Sequence, residues 1–170
     1  MNTDAIVYTS NTGYTAEYAK IIAKRTGLLV YSFDEARKNL PKKSRIIYLG
    51  WLMAGKIKGY KKACKRYNIS AVCTVGMCQT GSKMQDTRKS NSVPENVPLF
   101  TLQGGFDLNR LTGIYKLMMS IMKITVKKGL ENQDMRTPDE DALLEILING
   151  GSRVCEANLK DFYAWYEKNV

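Results

Sequence analysis

The sequence contains no histidine among its 170 residues. Ser-His-Asp and Cys-His catalysis both need an imidazole as general base, so this absence excludes them. The usual nitrogen ligand of a zinc site is also missing, and the four cysteines, Cys64, Cys73, Cys78 and Cys155, form no CxxC pair. We therefore expect no metal site, and we expect the cysteines to remain reduced thiols. If the protein is an enzyme, a cofactor carries its chemistry.

Long apolar runs are absent as well. No run approaches the roughly 20 residues that a membrane-spanning helix needs. The first ten residues, MNTDAIVYTS, lack the basic region and apolar core of a secretory signal. On these grounds we expect a cytoplasmic protein. Its length is typical of a single domain, here residues 1–170.

Acidic residues are missing from residues 41–68, whereas the chain as a whole has a net charge of +10. Such a basic segment attracts phosphates, anionic lipid or a protein partner with an acidic surface. Solvated lysines without a specific partner would give the same pattern. We do not expect nucleic acid as a partner, because no helix-turn-helix, RNP or zinc motif accompanies the bases. The bases of this segment are Lys42, Lys43, Arg45, Lys56, Lys58, Lys61, Lys62, Lys65 and Arg66.

Short apolar runs alternate with segments of helical period. The strands are predicted at residues 4–9, 28–33, 45–50, 70–76 and 97–105, and the helices at residues 14–25, 57–67 and 158–168. Asn158 is predicted to cap the last helix. The remaining long segments are predicted as a polar loop, residues 77–96, and an excursion at about residues 106–152. This alternation predicts an α/β protein with a five-stranded parallel sheet of order 2-1-3-4-5, covered on both faces.

The polar turn SNTGYT, residues 10–15, joins the first predicted strand to the first predicted helix. Backbone N–H groups and the helix dipole make such a turn attractive to an anion, and Gly13 lets the backbone approach it closely. Ser10, Thr12 and Thr15 add hydroxyl donors. The GK[ST] of a Walker A loop and the GxGxxG of a dinucleotide loop are both absent. The turn predicts a phosphate-monoester site; a Ser/Thr-rich helix start without a ligand is the alternative.

The segment IVYTSNTGYT is similar to the phosphate-loop signature of flavodoxins, which reads aliphatic-aromatic-x-Ser-x-Thr-Gly-x-Thr. This resemblance implies a flavodoxin-like three-layer sandwich that binds FMN and transfers electrons. It implies phosphate contacts from the matching residues Ser10, Thr12, Gly13 and Thr15, and from Asn11 and Tyr14 at the variable positions.

Two later segments extend the resemblance. GWLMAGKIKGY lies where flavodoxins have their first flavin-ring loop, and VGMCQTG where they have the second. The resemblance implies that the Gly55 carbonyl faces N5 of the ring and that Lys56 offsets charge near N1. More narrowly, GWLMAGKIKG and LQGGFDLNRLTGIYKLMMSIMK resemble the flavodoxin-type, menaquinone-dependent protoporphyrinogen dehydrogenases. The implied ring contacts are Leu52, Met53, Ala54, Gly55, Lys56, Met77 and Cys78.

Residues 114–128 combine an apolar stripe with four lysines. A helix of this kind could pack on the sheet, dock a redox partner, or lie peripherally on an anionic membrane at the inner face. The stripe consists of Leu117, Met118, Ile121, Met122 and Ile124, and the lysines are Lys116, Lys123, Lys127 and Lys128.

Taken together, these patterns favour an FMN-binding electron carrier that serves a partner oxidoreductase. A protoporphyrinogen/quinone dehydrogenase is the alternative enzyme, and an adapter that kept the fold but lost the flavin is the non-redox alternative.

Overall fold

Strands and helices alternate along most of the chain in the structure, a computed structural model that describes residues 3–133 and 135–169. The strands are β1 (Ala5–Thr9), β2 (Leu29–Ser32), β3 (Arg45–Met53), β4 (Lys56–Ile57), β5 (Asn68–Gly76), β6 (Leu99–Gln103), β7 (Gly105–Phe106) and β8 (Gly151–Ser152). The α-helices are α1 (Tyr14–Thr26), α2 (Phe33–Asn39), α3 (Tyr60–Arg66), α4 (Met84–Asn91), α5 (Gly113–Glu131), α6 (Pro138–Asn149) and α7 (Lys160–Asn169). Two short 3-10 turns cover Leu108–Arg110 and Glu156–Leu159.

The central sheet has five parallel strands in the order β2-β1-β3-β5-β6. This arrangement confirms the predicted strand order and the α/β fold class. The short β4 adds an antiparallel strand, which turns back from the end of β3. The order reverses direction between β1 and β3, so the chain leaves these two strands toward opposite sides of the sheet.

Neighbouring residues of one strand enter different cores, which makes the fold a three-layer sandwich. Ile6 belongs to the core between the sheet and helices α1 and α7, together with Ile22 and Phe162. Val7 belongs to the opposite core, which Ala36 of α2 and Ala63 of α3 complete. Because both faces are covered, the strands read as continuous apolar runs rather than as an alternating pattern. The architecture is that of a flavodoxin-like sandwich.

Three predicted segments differ from the structure. Residues 77–96 are not only a loop, because they contain α4, which buries polar Thr87, Arg88 and Asn91 and therefore shows no apolar period. The helix predicted at residues 57–67 begins only at Tyr60, after the β3–β4 hairpin. Strand β6 ends at Gln103, and after Gly104 the chain forms the separate short strand β7.

The excursion leaves and rejoins the sandwich through a two-stranded ribbon. Gly105 of β7 pairs with Ser152 of β8 in antiparallel register. Between these strands, α5 and α6 pack with β7 around a small core of their own, which contains Phe106, Ile146 and Leu147. Helix α6 begins with a capping box, in which Thr137 and Glu140 satisfy each other's backbone N–H groups.

None of the helices in the described ranges has the length and apolar character required to cross a bilayer.

Asn158 does not cap the last helix as predicted. It lies inside the second 3-10 turn, and its side-chain amide donates to the Tyr18 hydroxyl at 2.6 Å and to the Arg153 carbonyl at 2.9 Å. The Tyr18 hydroxyl in turn donates to the Gln103 carbonyl. This chain of hydrogen bonds connects α1, the end of β6 and the segment before α7. Burial raises the pKa of Tyr18 to about 12.

Replacing Tyr18 with Phe tests this network. We expect the free energy of unfolding at pH 7 to fall by about 1–2 kcal/mol, because the Gln103 carbonyl and the Asn158 amide lose a buried partner. An unfolded tyrosine titrates near pH 10, so between about pH 10 and 12 ionisation favours the unfolded state. Wild-type stability should therefore fall across this window, and less steeply in Tyr18→Phe. Urea denaturation at several pH values measures both effects. The half-buried Tyr31 of β2 provides the control, Tyr31→Phe, and an equal loss there would contradict the assignment.

Candidate functional site

A cavity of about 610 Å³ lies at the carboxyl ends of the central strands. Its walls come from the loops that follow β1, β3 and β5, and its fourth wall comes from the excursion. The residues lining it include Asn11, Thr12, Trp51, Leu52, Met53, Gly76, Met77, Ser82, Asp86, Phe106, Leu111, Tyr115, Met118, Met119, Met122 and Leu143. The position at the strand-order reversal is where ligands bind in open α/β sheets.

The loop after β1 ends in a helix start that carries no side-chain cap from the described residues. Gly13 adopts the left-handed conformation, with φ of 98°, and precedes α1. No side chain within the described ranges caps the first turn of α1, and the same holds for α3, α4 and α5, whereas α2 and α6 carry capping boxes. The first N–H groups of a helix have no partner inside the helix, so this end remains available to an acceptor in the cavity.

The residues predicted to contact a phosphate divide into two groups. Asn11, Thr12 and Thr15 line the cavity directly. Ser10 instead supports the loop, because its hydroxyl accepts a hydrogen bond from the Gly13 N–H at 3.2 Å. Tyr14 also lines the cavity, but its ring is buried and its hydroxyl lies 3.5 Å from the Gly151 carbonyl of the ribbon. Burial raises the pKa of Tyr14, so the phenol remains neutral at physiological pH.

Arg110, which the sequence analysis did not select, brings a positive charge to this loop. Its guanidinium donates to the Thr12 carbonyl at 3.2 Å and lies 5.0 Å from the centre of the Tyr14 ring. It also forms ion pairs with Glu17 at 3.4 Å and with Asp107 at 3.6 Å. Arg110 belongs to the excursion, and no pattern in the sequence connects it with a loop almost a hundred residues earlier.

The first predicted ring loop is a tight hairpin between β3 and β4. Its two turn residues, Ala54 and Gly55, both have positive φ, at 48° and 73°. This combination is typical of a type I′ turn, although Ala carries a steric cost there that Gly does not. Leu52, Met53, Ala54 and Gly55 all line the cavity.

Buried Asn91 of α4 fixes the hairpin. Its side-chain oxygen accepts from the Ile57 N–H at 2.8 Å, and its side-chain nitrogen donates to the Gly55 carbonyl at 2.8 Å. The Gly55 carbonyl, expected to face the flavin N5, therefore already has a partner. Lys56 lies outside the cavity lining, and its ammonium group donates to the Ser90 carbonyl at 2.6 Å.

The second predicted ring loop follows β5 and folds back onto β6. Gln103 holds it at two points, since its backbone N–H donates to the Thr80 hydroxyl at 2.9 Å and its side chain donates to the Met77 carbonyl at 3.4 Å. Met77 and Cys78 are half-buried and line the cavity. Burial, reinforced by the charge of Asp139, raises the pKa of Cys78, so its thiol is neutral and weakly nucleophilic.

Two aromatic rings meet at the entrance formed by the first ring loop and the excursion. Trp51 packs edge-to-face against Tyr115 of α5, with ring centres 5.6 Å apart. The Lys58 ammonium lies 5.7 Å and 5.9 Å from the two ring centres. The sequence analysis did not select Tyr115, because its contact with Trp51 depends on the path of the excursion.

Apart from Asp107, the rest of the excursion wall is apolar. Phe106, Leu111 and Leu143 contribute to it, together with three methionines of α5, Met118, Met119 and Met122. Polar lining residues come mainly from two places: the loop after β1, with Asn11, Thr12 and Thr15, and the segment through α4, with Gln79, Ser82, Lys83, Asp86, Thr87 and Ser90. The start of α1 suits the anionic tail of a ligand, and the apolar wall suits a broad, weakly polar body.

No family model matches the chain, and the curated proteins and solved structures likewise give no significant match. The class of the protein consequently rests on its own architecture, which is an α/β sandwich of flavodoxin-like strand order with a cavity at the strand-order reversal.

Asn91→Ala tests how the hairpin is held. The substitution leaves the Ile57 N–H and the Gly55 carbonyl without their buried partner, so we expect stability to fall by about 2–3 kcal/mol. Hydrogen exchange at the Ile57 amide should accelerate more than exchange in the sheet. Asn39→Ala is the control, because the exposed Asn39 side chain also donates to a backbone carbonyl. Unchanged protection of Ile57 in Asn91→Ala would contradict this role.

Proposed function

We propose that the protein binds FMN in this cavity and transfers electrons to or from a partner oxidoreductase. The observation that carries the proposal is the pairing of an uncapped, hydroxyl-bearing helix start with an apolar chamber beside it. The cavity volume of about 610 Å³ falls within the roughly 300–1,000 Å³ of small-molecule sites. The proposed location is the cytoplasm, where the four free cysteines would remain reduced.

Each part of FMN has residues of suitable chemistry. The phosphate would accept from the N–H groups at the start of α1 and from the hydroxyls of Thr12 and Thr15, with Arg110 supplying positive charge nearby. The ring would lie among the apolar side chains of the two ring loops, near Trp51 and Tyr115. Bound FMN supplies one- and two-electron transfer chemistry, while the protein orients it and limits its contact with water.

A partner with an acidic surface would complement the exposed bases near the cavity. Helix α3 follows the β3–β4 hairpin, so its first turn lies at the carboxyl edge of the sheet. Lys61 and Lys62 are exposed in this turn. Opposite charges on a redox partner would accelerate the encounter and make it sensitive to ionic strength.

Titration of the purified protein with FMN and with riboflavin tests the proposal. Gly13→Ala and Gly27→Ala form a matched pair, because both glycines have positive φ and flank the same helix, and neither has a close neighbour that a Cβ would strike. Both variants should lose about 1 kcal/mol of stability or more. Only Gly13→Ala should weaken FMN binding, by tenfold or more, because only this substitution disturbs the proposed phosphate loop.

Riboflavin lacks the phosphate, so its affinity should be nearly equal in the two variants. Equal FMN affinities in Gly13→Ala and Gly27→Ala would contradict the proposal that the loop after β1 binds the FMN phosphate. If the purified protein is colourless and does not bind added FMN, the result would instead support the alternative function, an adapter that has lost the flavin.

A second candidate function, a dehydrogenase that passes electrons from a porphyrinogen to a quinone, is favoured by the apolar excursion wall. A carrier needs only an exposed flavin edge, whereas a dehydrogenase needs room for an apolar substrate beside the ring. The methionine-lined wall of α5 and the neighbouring Phe106 would offer such room.

Anaerobic mixing of a porphyrinogen with the FMN-loaded protein separates the two candidates. The carrier should form no porphyrin fluorescence with a quinone as the sole acceptor. Repeated turnover under these conditions would contradict the electron-carrier function and support the dehydrogenase function. In that case, Met122→Glu should abolish turnover, because it places a charge in the apolar wall, whereas Met84→Glu on the exposed surface of α4 should not.

A further inference from the structure

Helix α5 has two apolar faces, and only one of them is covered. The inner face, Met119, Met122 and Val126, packs against the core of the excursion. The outer face consists of Ile114, Leu117, Met118, Ile121 and Ile124, whose exposures range from 45% to 67%. Of the 19 residues in α5, only Leu130 is buried. The stripe predicted from the sequence is therefore divided between the two faces. Met122 points inward, Leu117, Ile121 and Ile124 lie outside, and Met118 lies at the border, where it is partly exposed and also lines the cavity.

The outer face is the main concentration of exposed apolar side chains in the described parts of the chain. In the described parts of the chain nine large hydrophobic residues are exposed, and five of these nine belong to the outer face of α5. Single exposed apolar residues are ordinary, but a contiguous group on one helix marks a surface that binds something.

The charges around the outer face favour an anionic occupant. Lys116, Lys123 and Lys127 recur at helical spacing and form a row along one side of α5, and Lys128 lies at its C-terminal end. Glu131, which pairs with Lys127 at 3.7 Å, is the single acidic residue of the helix. The Lys123 ammonium lies toward the inner side of this row, 5.8 Å from the centre of the Phe106 ring. Lysines therefore border the apolar surface along one side of the helix and at its C-terminal end.

We propose that the outer face of α5 binds the surface of an anionic lipid bilayer, with the helix lying in the plane of the membrane. Exposed Ile, Leu and Met side chains would enter the boundary between headgroups and acyl chains, while the lysines would reach lipid phosphates. Nineteen residues give a helix about 28 Å long, so such an arrangement presents an extended line of contacts. This inference is independent of FMN binding.

Charge favours this occupant over a second copy of the chain. Association of two outer faces would bring two lysine-rich helices together, with one acid on each to offset them. A bilayer that contains anionic lipid offers the opposite sign of charge over the whole length of the helix. Each basic residue near such a surface adds to the attraction, and salt weakens it.

Flotation with two kinds of vesicle tests the proposal. One vesicle contains phosphatidylcholine alone, and the other contains phosphatidylcholine with the anionic lipid phosphatidylglycerol, which gives its surface a negative potential. We expect the wild-type protein to bind the anionic vesicles at least tenfold more tightly than the neutral ones. The triple substitution Leu117→Ser, Ile121→Ser and Ile124→Ser should abolish binding. Leu29→Ser and Ile148→Ser, at exposed apolar residues elsewhere, should leave it unchanged.

A second pair of variants separates local from overall charge. One double variant, Lys116→Ala with Lys128→Ala, removes two exposed positive charges from α5. The other, Lys61→Ala with Lys62→Ala, removes two exposed positive charges from α3. Only the α5 pair should weaken binding, by tenfold or more. Equal weakening by both pairs would show attraction to the net charge of the protein and would overturn the proposal.

Two further measurements complete the test. Tryptophan emission of Ile121→Trp should shift to the blue on anionic vesicles and be quenched by brominated acyl chains, which reports insertion. Sedimentation of the wild-type protein without lipid should give a monomer. Absence of binding to either vesicle would overturn the proposal, and so would a dimer that the triple substitution dissociates, because a second copy would then cover the outer face.

Discussion

The parallel sheet imposes the constraint on which the site depends. The backbone hydrogen bonds of each strand are satisfied by its neighbouring strands. Because helices cover both faces, the segments that connect the strands leave the sheet at the strand ends. Because the order reverses between β1 and β3, the connections after these strands diverge and leave a space between them. The cavity, the open start of α1 and the β3–β4 hairpin all occupy this one edge.

The excursion adds a further wall to that space. Arg110 brings charge to the loop after β1, and Tyr115 meets Trp51 at the entrance. The same helix that supplies Tyr115 presents uncovered apolar side chains on its other side. Helix α5 therefore connects two surfaces of different use, one facing the proposed cofactor and one facing the proposed membrane.

The sequence was sufficient to predict the parts of the fold that follow local patterns. Five apolar runs and their spacing predicted the parallel sheet and its order. A cavity lies beside the turn around Gly13, and the phosphate site expected there stays a prediction. Helix α4 escaped prediction because the side chains it buries are polar. The roles of Asn91 and Arg110 were also out of reach, because each contacts backbone that is distant along the chain.

The β7–β8 ribbon has a structural consequence of its own. Since Gly105 and Ser152 are paired, the excursion departs and returns at neighbouring points, and its contents are topologically separate from the sandwich. Insertions or replacements between these two residues need not alter the register of any strand in the central sheet. The excursion can therefore change in sequence and length while the core of the sandwich stays the same. Such changes would alter the cavity wall and the outer surface of α5 without disturbing the central sheet.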